Sequence, residues 1–179
     1  MKYYKVGVFE EIYLYYSIFD RNEAYFTLQS NMKEGNTKVG SVKINPEEIP
    51  VKMLSLDPFS SWLGIEILEA EKGRVKLGMR IRKEMLNSMN KAHGGISYSL
   101  ADTAFGFAAN THGKYAVSIE TSINHIEALN EGDYLIAESV IEKVGNKLGF
   151  NIVEIKRGDD LVALFKGVVY RTSKDWTEE

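Results

Sequence analysis

Six stretches of the chain alternate apolar and polar residues in the two-residue period of a half-buried strand, and one longer run breaks that rhythm by being apolar on almost every side. Gly64 to Glu71 and Arg74 to Ile81 read as two strands joined at Lys72-Gly73, a hairpin signal. Ala116 to Ile126, Tyr134 to Val144, Gly149 to Arg157 and Leu161 to Arg171 read as four more. The last four are separated by Asn130-Glu131-Gly132-Asp133, Gly145-Asn146 and Gly158-Asp159-Asp160. Between the second strand and the third lies Ile96 to Ala109, whose only charged residue is Asp102. A helix apolar all round belongs inside a protein. Strands before and after one interior helix predict an α+β fold in which an antiparallel sheet wraps that helix.

Residues 1–53 are patterned differently. Phe9, Ile12, Tyr13, Tyr16 and Phe19 would share one helical face, yet Ile12 to Phe19 is equally rich in strand-preferring aromatic and β-branched residues, so the spacing leaves both open. Ala24 to Gln29 and Lys38 to Ile44 read as strands, with turns at Asp20-Arg21-Asn22 and Glu34-Gly35-Asn36. The expectation is a hairpin-rich, β-rich N-terminal appendage over residues 1–53, ending near Asn45-Pro46-Glu47-Glu48-Ile49-Pro50, and a main domain over 54–179. The tyrosines Tyr3, Tyr4, Tyr13, Tyr15 and Tyr16 are expected to serve packing in that appendage.

Composition narrows the function classes. The chain has 179 residues and 44% hydrophobic content, enough for a real core. It has no cysteine, which excludes a thiol nucleophile and disulfides and leaves the cytoplasm as the default compartment. Glu10 and Glu11 interrupt the apolar N-terminus too early for a signal peptide, and no run is long enough to span a membrane. A net charge of -3 with no basic stripe argues against nucleic acid as a partner. His93, His112 and His125 are too widely spaced, and too far from carboxylates, to suggest a metal site, so neither metal nor cofactor is expected.

The chemistry concentrates in Ala92 to Asp102, Ala-His-Gly-Gly-Ile-Ser-Tyr-Ser-Leu-Ala-Asp. Gly94 and Gly95 let a ligand approach their amides closely, and the first amides of a helix lack intrahelical partners and favour negative charge. Asp102 then places a carboxylate inside an apolar helix, where an unpaired charge is costly and therefore points to use. At about 1.5 Å per residue, Asp102 lies roughly 12 Å along the axis from Gly94, too far to act on a carbonyl held there. Two copies with these helices antiparallel about a two-fold axis would bring Asp102 of one to Gly94 of the other, giving two equivalent sites. Ala101, Ala104 and Ala108, with Ser97 and Gly106, keep the helix thin enough for that approach.

Asn87-x5-His93-Gly94-Gly95-x4-Leu100-Ala101-Asp102-x-Ala104 resembles the signature of hotdog-fold acyl-CoA thioesterases of the phenylacetic-acid-degradation (PaaI-like) type. Asp57-Pro58-Phe59 with Leu63-Gly64-Ile65 looks like the short leading helix and first strand of that family. Gly132-Asp133 and the alternating run after it look like its later hairpin. The likeness covers about Leu54 to Arg171. It implies a hotdog fold, an acyl-CoA substrate and a homotetramer built from two dimers. It also implies roles: the Gly94 amide donates to the thioester carbonyl, and Asp102 is nucleophile or general base. Asn87 holds the water or the carboxylate, and His93 braces the loop. Gly95 and Lys147 are the candidates for further substrate contact. Three positions depart from the pattern: His125 stands where an aromatic residue is usual, Ala128 where a proline is common, and Lys147 where an arginine often follows the strand-turn glycine.

Lys143, Lys147, Lys156, Arg157, Lys166 and Arg171 are placed in the C-terminal strands where coenzyme phosphates could meet them, although each alone reads as a solvated strand-face charge. Tyr98, Phe105, Phe107 and Trp62 could shape an aromatic pocket, leaving aromatic and medium-chain acyl groups both open. His112, past the helix, reads as a surface residue, and His125 as a half-buried strand residue. A non-catalytic acyl-CoA binding or sensing module is the alternative to hydrolysis, and it leaves Asp102 idle. A hydratase fits poorly, because Phe107 stands where a second acid-base residue would be needed.

Overall fold

The computed structural model describes residues 43–177. The expected hairpins and tyrosine cluster of the N-terminal appendage lie outside the described residues. Within them the chain forms α1 (Glu48–Ser55), α2 (Pro58–Leu63), β1 (Glu66–Glu71), β2 (Arg74–Arg80) and a short 3-10 turn (Lys83–Met85). There follow α3 (Gly94–Asn110), β3 (Lys114–His125), β4 (Tyr134–Val144), β5 (Leu148–Arg157) and β6 (Asp160–Asp175). The strands make one antiparallel sheet in the order β1-β2-β4-β5-β6-β3. α3 packs against it, most heavily on β4 and β5.

Strand alternation decides which side chains meet α3. Along β5, Gly149, Asn151, Val153 and Ile155 are buried, whereas Leu148, Phe150, Ile152 and Glu154 are exposed. Val75, Leu77 and Met79 of β2, Leu135 and Ala137 of β4 and Phe165 of β6 complete the inner face. They pack on Leu100, Ala101, Ala104, Phe105 and Ala108 of α3, all fully buried. Burying each of the larger of these side chains stabilises the fold by about 1.5–3 kcal/mol.

Local signals explain the shorter elements. Asp57 caps α2, its Oδ1 accepting from the Phe59 and Ser60 amides at 3.0 Å. Pro58 supplies the preset first helical position, and Gly64 ends the helix with φ at 73°. The Arg82 guanidinium donates to the Trp62 and Leu63 carbonyls at 2.8 Å, satisfying that end of α2. Pro50 sits in the first turn of α1, where no amide is needed for the ladder. α1 runs through position 53, near which the sequence pattern had placed the end of the appendage, and Met53 and Leu54 pack on the main core.

Most element boundaries differ from the sequence expectation by a residue or two, and two differences have a clear cause. α3 begins at Gly94 rather than Ile96, because His93 caps it and draws both glycines into the first turn. β6 continues past Arg171 to Asp175, where pairing with the start of β3 (Lys114↔Asp175) carries a polar stretch into the sheet. No helix among the described residues is long and apolar enough to cross a membrane.

Candidate active site

The first turn of α3 is held from three sides. His93 Nδ1 accepts from the Gly95 amide at 3.0 Å, the His93 amide donates to Met85 O at 2.9 Å, and the Ala92 amide donates to Leu129 O at 2.8 Å. The cap occupies the Gly95 N–H, so Gly95 does not offer that donor to a ligand while the cap stands. The Gly94 N–H has no acceptor among the described residues. Asn87 braces the preceding loop: its Oδ1 accepts from the Met89 amide at 2.9 Å and the Lys91 amide at 3.2 Å. Its oxygen is thereby committed to its own turn, and its Nδ2 has no partner among the described residues.

Asp102 is half-buried in the single chain, not fully enclosed as the apolar helix suggested. Its carboxylate has no hydrogen bond or ion pair among the described residues. Burial pushes its carboxyl above the ordinary carboxylate range, since the charged form loses water and gains no partner. It lines a cavity of about 260 Å³ between α3 and the α1–α2 segment, with Met53, Phe59, Tyr98, Thr103 and Phe107 among the walls. Asp57, the other carboxylate there, is already committed to the α2 cap, and its Oδ2 accepts from Ser60 Oγ at 2.6 Å. Of the four aromatics expected to shape a pocket, Tyr98 and Phe107 line this one. Phe105 lies instead in the core against Phe165, and Trp62 is exposed, stacked on Phe59.

The structure keeps the other candidates apart within one chain. Gly94 and Asp102 belong to the same helix, roughly 12 Å apart along its axis. Lys147 lies in the β4–β5 turn beside Tyr170, its Nζ 5.6 Å from the ring centre. Tyr170 is seven residues along β6 from Ala163, the cross-strand partner of His125, or roughly 24 Å at strand rise. Lys147 is therefore at the far end of the sheet from Gly94.

His125, which sequence reasoning left out of the site, ends β3 directly over Gly94. A Cβ on Gly94 would stand 3.1 Å from His125 Nε2 and 3.4 Å from Cε1. The only sequence signal was the histidine in place of the usual aromatic residue. His112 is half-buried rather than free on the surface: it packs against Gly73, and burial with the nearby Lys72 and Arg171 charges pulls its pKa down.

Comparison with known proteins places this geometry in a family. The sequence profile of the Thioesterase superfamily matches residues 89–164, from just ahead of α3 into β6. The acyl-coenzyme A thioesterase PaaI of Escherichia coli is 34% identical over 128 residues, 71% of this chain and 91% of that protein. This chain belongs to the thioesterase superfamily. The Escherichia coli PaaI structure matches it with a TM-score of 0.72 at 31% identity, covering 76% of this chain and 100% of that one. A protein of Archaeoglobus fulgidus, classed provisionally as an esterase, is 42% identical over 131 residues, 73% of this chain and 85% of its own. A Streptococcus mutans protein solved with acetyl CoA bound matches with a TM-score of 0.60 at 25% identity, covering 62% of this chain and 90% of that one. The fold is the hotdog fold of thioesterases, with the six-stranded antiparallel sheet and long helix that the apolar pattern predicted.

Proposed function

We propose that this protein hydrolyses an acyl-CoA thioester at sites shared between two copies of the chain, with Gly94 from one and Asp102 from the other. The observation that carries this reading is a half-buried carboxylate with no hydrogen-bond partner among the described residues, on the same helix as an N-terminal amide that also has none there but out of its reach. Antiparallel pairing of two α3 helices closes that gap. β3 supports such pairing, because it is a twelve-residue edge strand whose Val117 and Ile119 are 53% and 56% exposed in the single chain.

In this mechanism the thioester carbonyl oxygen accepts from the Gly94 N–H, and the helix N-terminus favours the negative charge that develops there. Asp102 of the partner subunit either attacks the carbonyl carbon or takes a proton from the attacking water. The new C–O bond forms, the C–S bond breaks, and coenzyme A leaves as a thiolate that regains a proton; on the nucleophilic route water then cleaves the Asp102–acyl anhydride, releasing the acid and restoring the carboxylate. Asn87 and His93 hold the loop from which α3 starts. The cavity walls Met53, Phe59, Tyr98 and Phe107 suit an aromatic or medium-chain acyl group.

The test is release of free coenzyme A from acetyl-, hexanoyl- and phenylacetyl-CoA by the wild type and by Asp102→Asn. Hydrolysis of at least one ester, lowered a hundredfold or more in the variant, is expected. Binding of the esters with no turnover in the wild type refutes hydrolysis and leaves a binding or sensing module. A single turnover in ¹⁸O-labelled water then tests the nucleophilic role, since label entering the Asp102 carboxylate identifies it as the nucleophile.

A further inference from the structure

We propose that His125 is a second hydrogen-bond donor to the thioester carbonyl, beside the Gly94 amide; the inference rests on the carbonyl site proposed above. The imidazole lies flat over Gly94, with Nε2, Cε1 and Cδ2 at 3.1, 3.4 and 3.7 Å from where a Cβ would stand. The Cα–Cβ direction in a helix tilts toward the N-terminus. The ring therefore stands on the N-terminal side of Gly94, at the end of α3 where the amide is free. Covalent geometry then puts Nε2 within about 5.6 Å of the Gly94 nitrogen. One oxygen atom accepting two hydrogen bonds of about 2.9 Å can span that separation.

The ring is exposed in the single chain, with Ser97 beside Nδ1 and Nε2 left as a spare donor. Ser97 Oγ is 3.3 Å from His125 Nδ1 and 3.1 Å from Gly94 O. Gly94 O has the Tyr98 amide as its ordinary helical partner, so the Ser97 hydrogen is free to turn to Nδ1. That arrangement leaves the ring proton on Nε2, which has no other partner among the described residues. The opposite tautomer would point a lone pair at an oxygen gaining negative charge, so a bound thioester selects the Nε2–H form. His93 already takes the Gly95 amide, leaving one backbone donor at the carbonyl, and His125 supplies a second. The aromatic residue usual at this position would supply the same wall and no donor.

The experiment compares His125→Phe, His125→Gln and Ser97→Ala with wild type on the best ester of the panel. His125→Phe is expected to lower kcat ten- to hundredfold with KM changed less than threefold, the pattern of a lost oxyanion donor. His125→Gln, which keeps an N–H, is expected to recover at least fivefold over His125→Phe, and Ser97→Ala to fall between wild type and His125→Phe. A His125→Phe kcat within twofold of wild type overturns the proposal. So does a His125→Gln no better than His125→Phe, which would mark a purely steric role.

A second readout does not depend on turnover. In Asp102→Asn protein, the ¹⁵N resonance of His125 Nε2, assigned by its loss in His125→Phe, is expected to report a protonated nitrogen that shifts on adding a panel ester. No shift with any ester at millimolar concentration, or an unprotonated Nε2 in the complex, overturns the proposal. If the wild type hydrolyses nothing, hydrolysis fails as the function while this measurement still decides whether His125 meets the bound ester.

Discussion

The two ends of α3 treat their polar groups in opposite ways. At the C-terminal end Asn110 is 2% exposed and fully bonded. Its Nδ2 donates to Gly106 O and Ala116 O at 2.9 and 3.0 Å, and its Oδ1 accepts from the Ala116 amide and Trp176 Nε1 at 3.0 and 2.8 Å. Thr111 beside it donates to Ala108 O at 2.6 Å and accepts from the Gly73 amide at 2.7 Å. From the N-terminus to mid-helix the Gly94 amide, the Nε2 of His125 on neighbouring β3 and the Asp102 carboxylate all lack partners among the described residues. Gly94 and His125 are exposed and Asp102 is half-buried in the single chain, so this stretch of the helix is the one open to a ligand. The other half is where the helix is anchored.

The largest effects should separate the halves by what they damage. Asp102→Asn is expected to lower kcat/KM a hundred- to ten-thousandfold, equivalent to about 2.7–5.4 kcal/mol of barrier, with the fold intact by circular dichroism. Asn110→Ala should do the reverse. It strands the buried Trp176 Nε1–H and the half-buried Ala116 amide and carbonyl, at a cost of about 3 kcal/mol in unfolding free energy. Its Tm should fall by roughly 10 °C, while kcat at a permissive temperature stays within threefold of wild type. A loss of kcat in Asn110→Ala without loss of Tm would erase the contrast between the two ends.

How much of this was legible in the sequence follows the same division. The hairpin turns, the apolar helix and the α2 cap were readable because each depends on residues close together in the chain, as Asp57, Pro58 and Gly64 do. The polar end of β6 was not, since Thr172 to Asp175 become a strand only by pairing with the start of β3. α1 was hidden because Pro50 reads as a breaker unless its place in a first turn is known. The proposed pairing of Gly94 with Asp102 rests on spacing along α3 alone. His125 was not legible, because its place over Gly94 comes from β3 returning alongside α3. The fates of the aromatics also needed the structure, as Phe105 and Phe107 are two residues apart yet only Phe107 reaches the cavity.

His93→Ala offers a smaller, mixed effect at the open end. Losing the cap to the Gly95 amide should cost about 1 kcal/mol of stability, read as a shift in the denaturant midpoint at unchanged slope. It also frees the Gly95 N–H beside the Gly94 amide. If His93 only orders the loop, kcat should fall less than tenfold. A loss as deep as that of Asp102→Asn would make the ring a direct participant.

The smallest effect expected, and the most diagnostic in sign, is on stability at Asp102 itself. Its carboxyl holds its proton to higher pH in the folded chain than in the unfolded one, because burial disfavours the charged form. Between those two pKa values the folded state binds more protons, so unfolding free energy falls as pH rises through that window and stays lower above it. The neutral amide of Asp102→Asn removes this penalty. The variant should therefore melt slightly above wild type at pH 7, with the gap closing as pH drops below about 4, where both states carry a protonated carboxyl. The acid limb of wild-type kcat/KM should lie above the ordinary carboxylate range for the same reason. A variant that loses catalysis and gains stability would show that the charge opposes the fold that carries it. A stability gain equal at pH 4 and pH 7 would instead assign it to packing and remove desolvation as its cause.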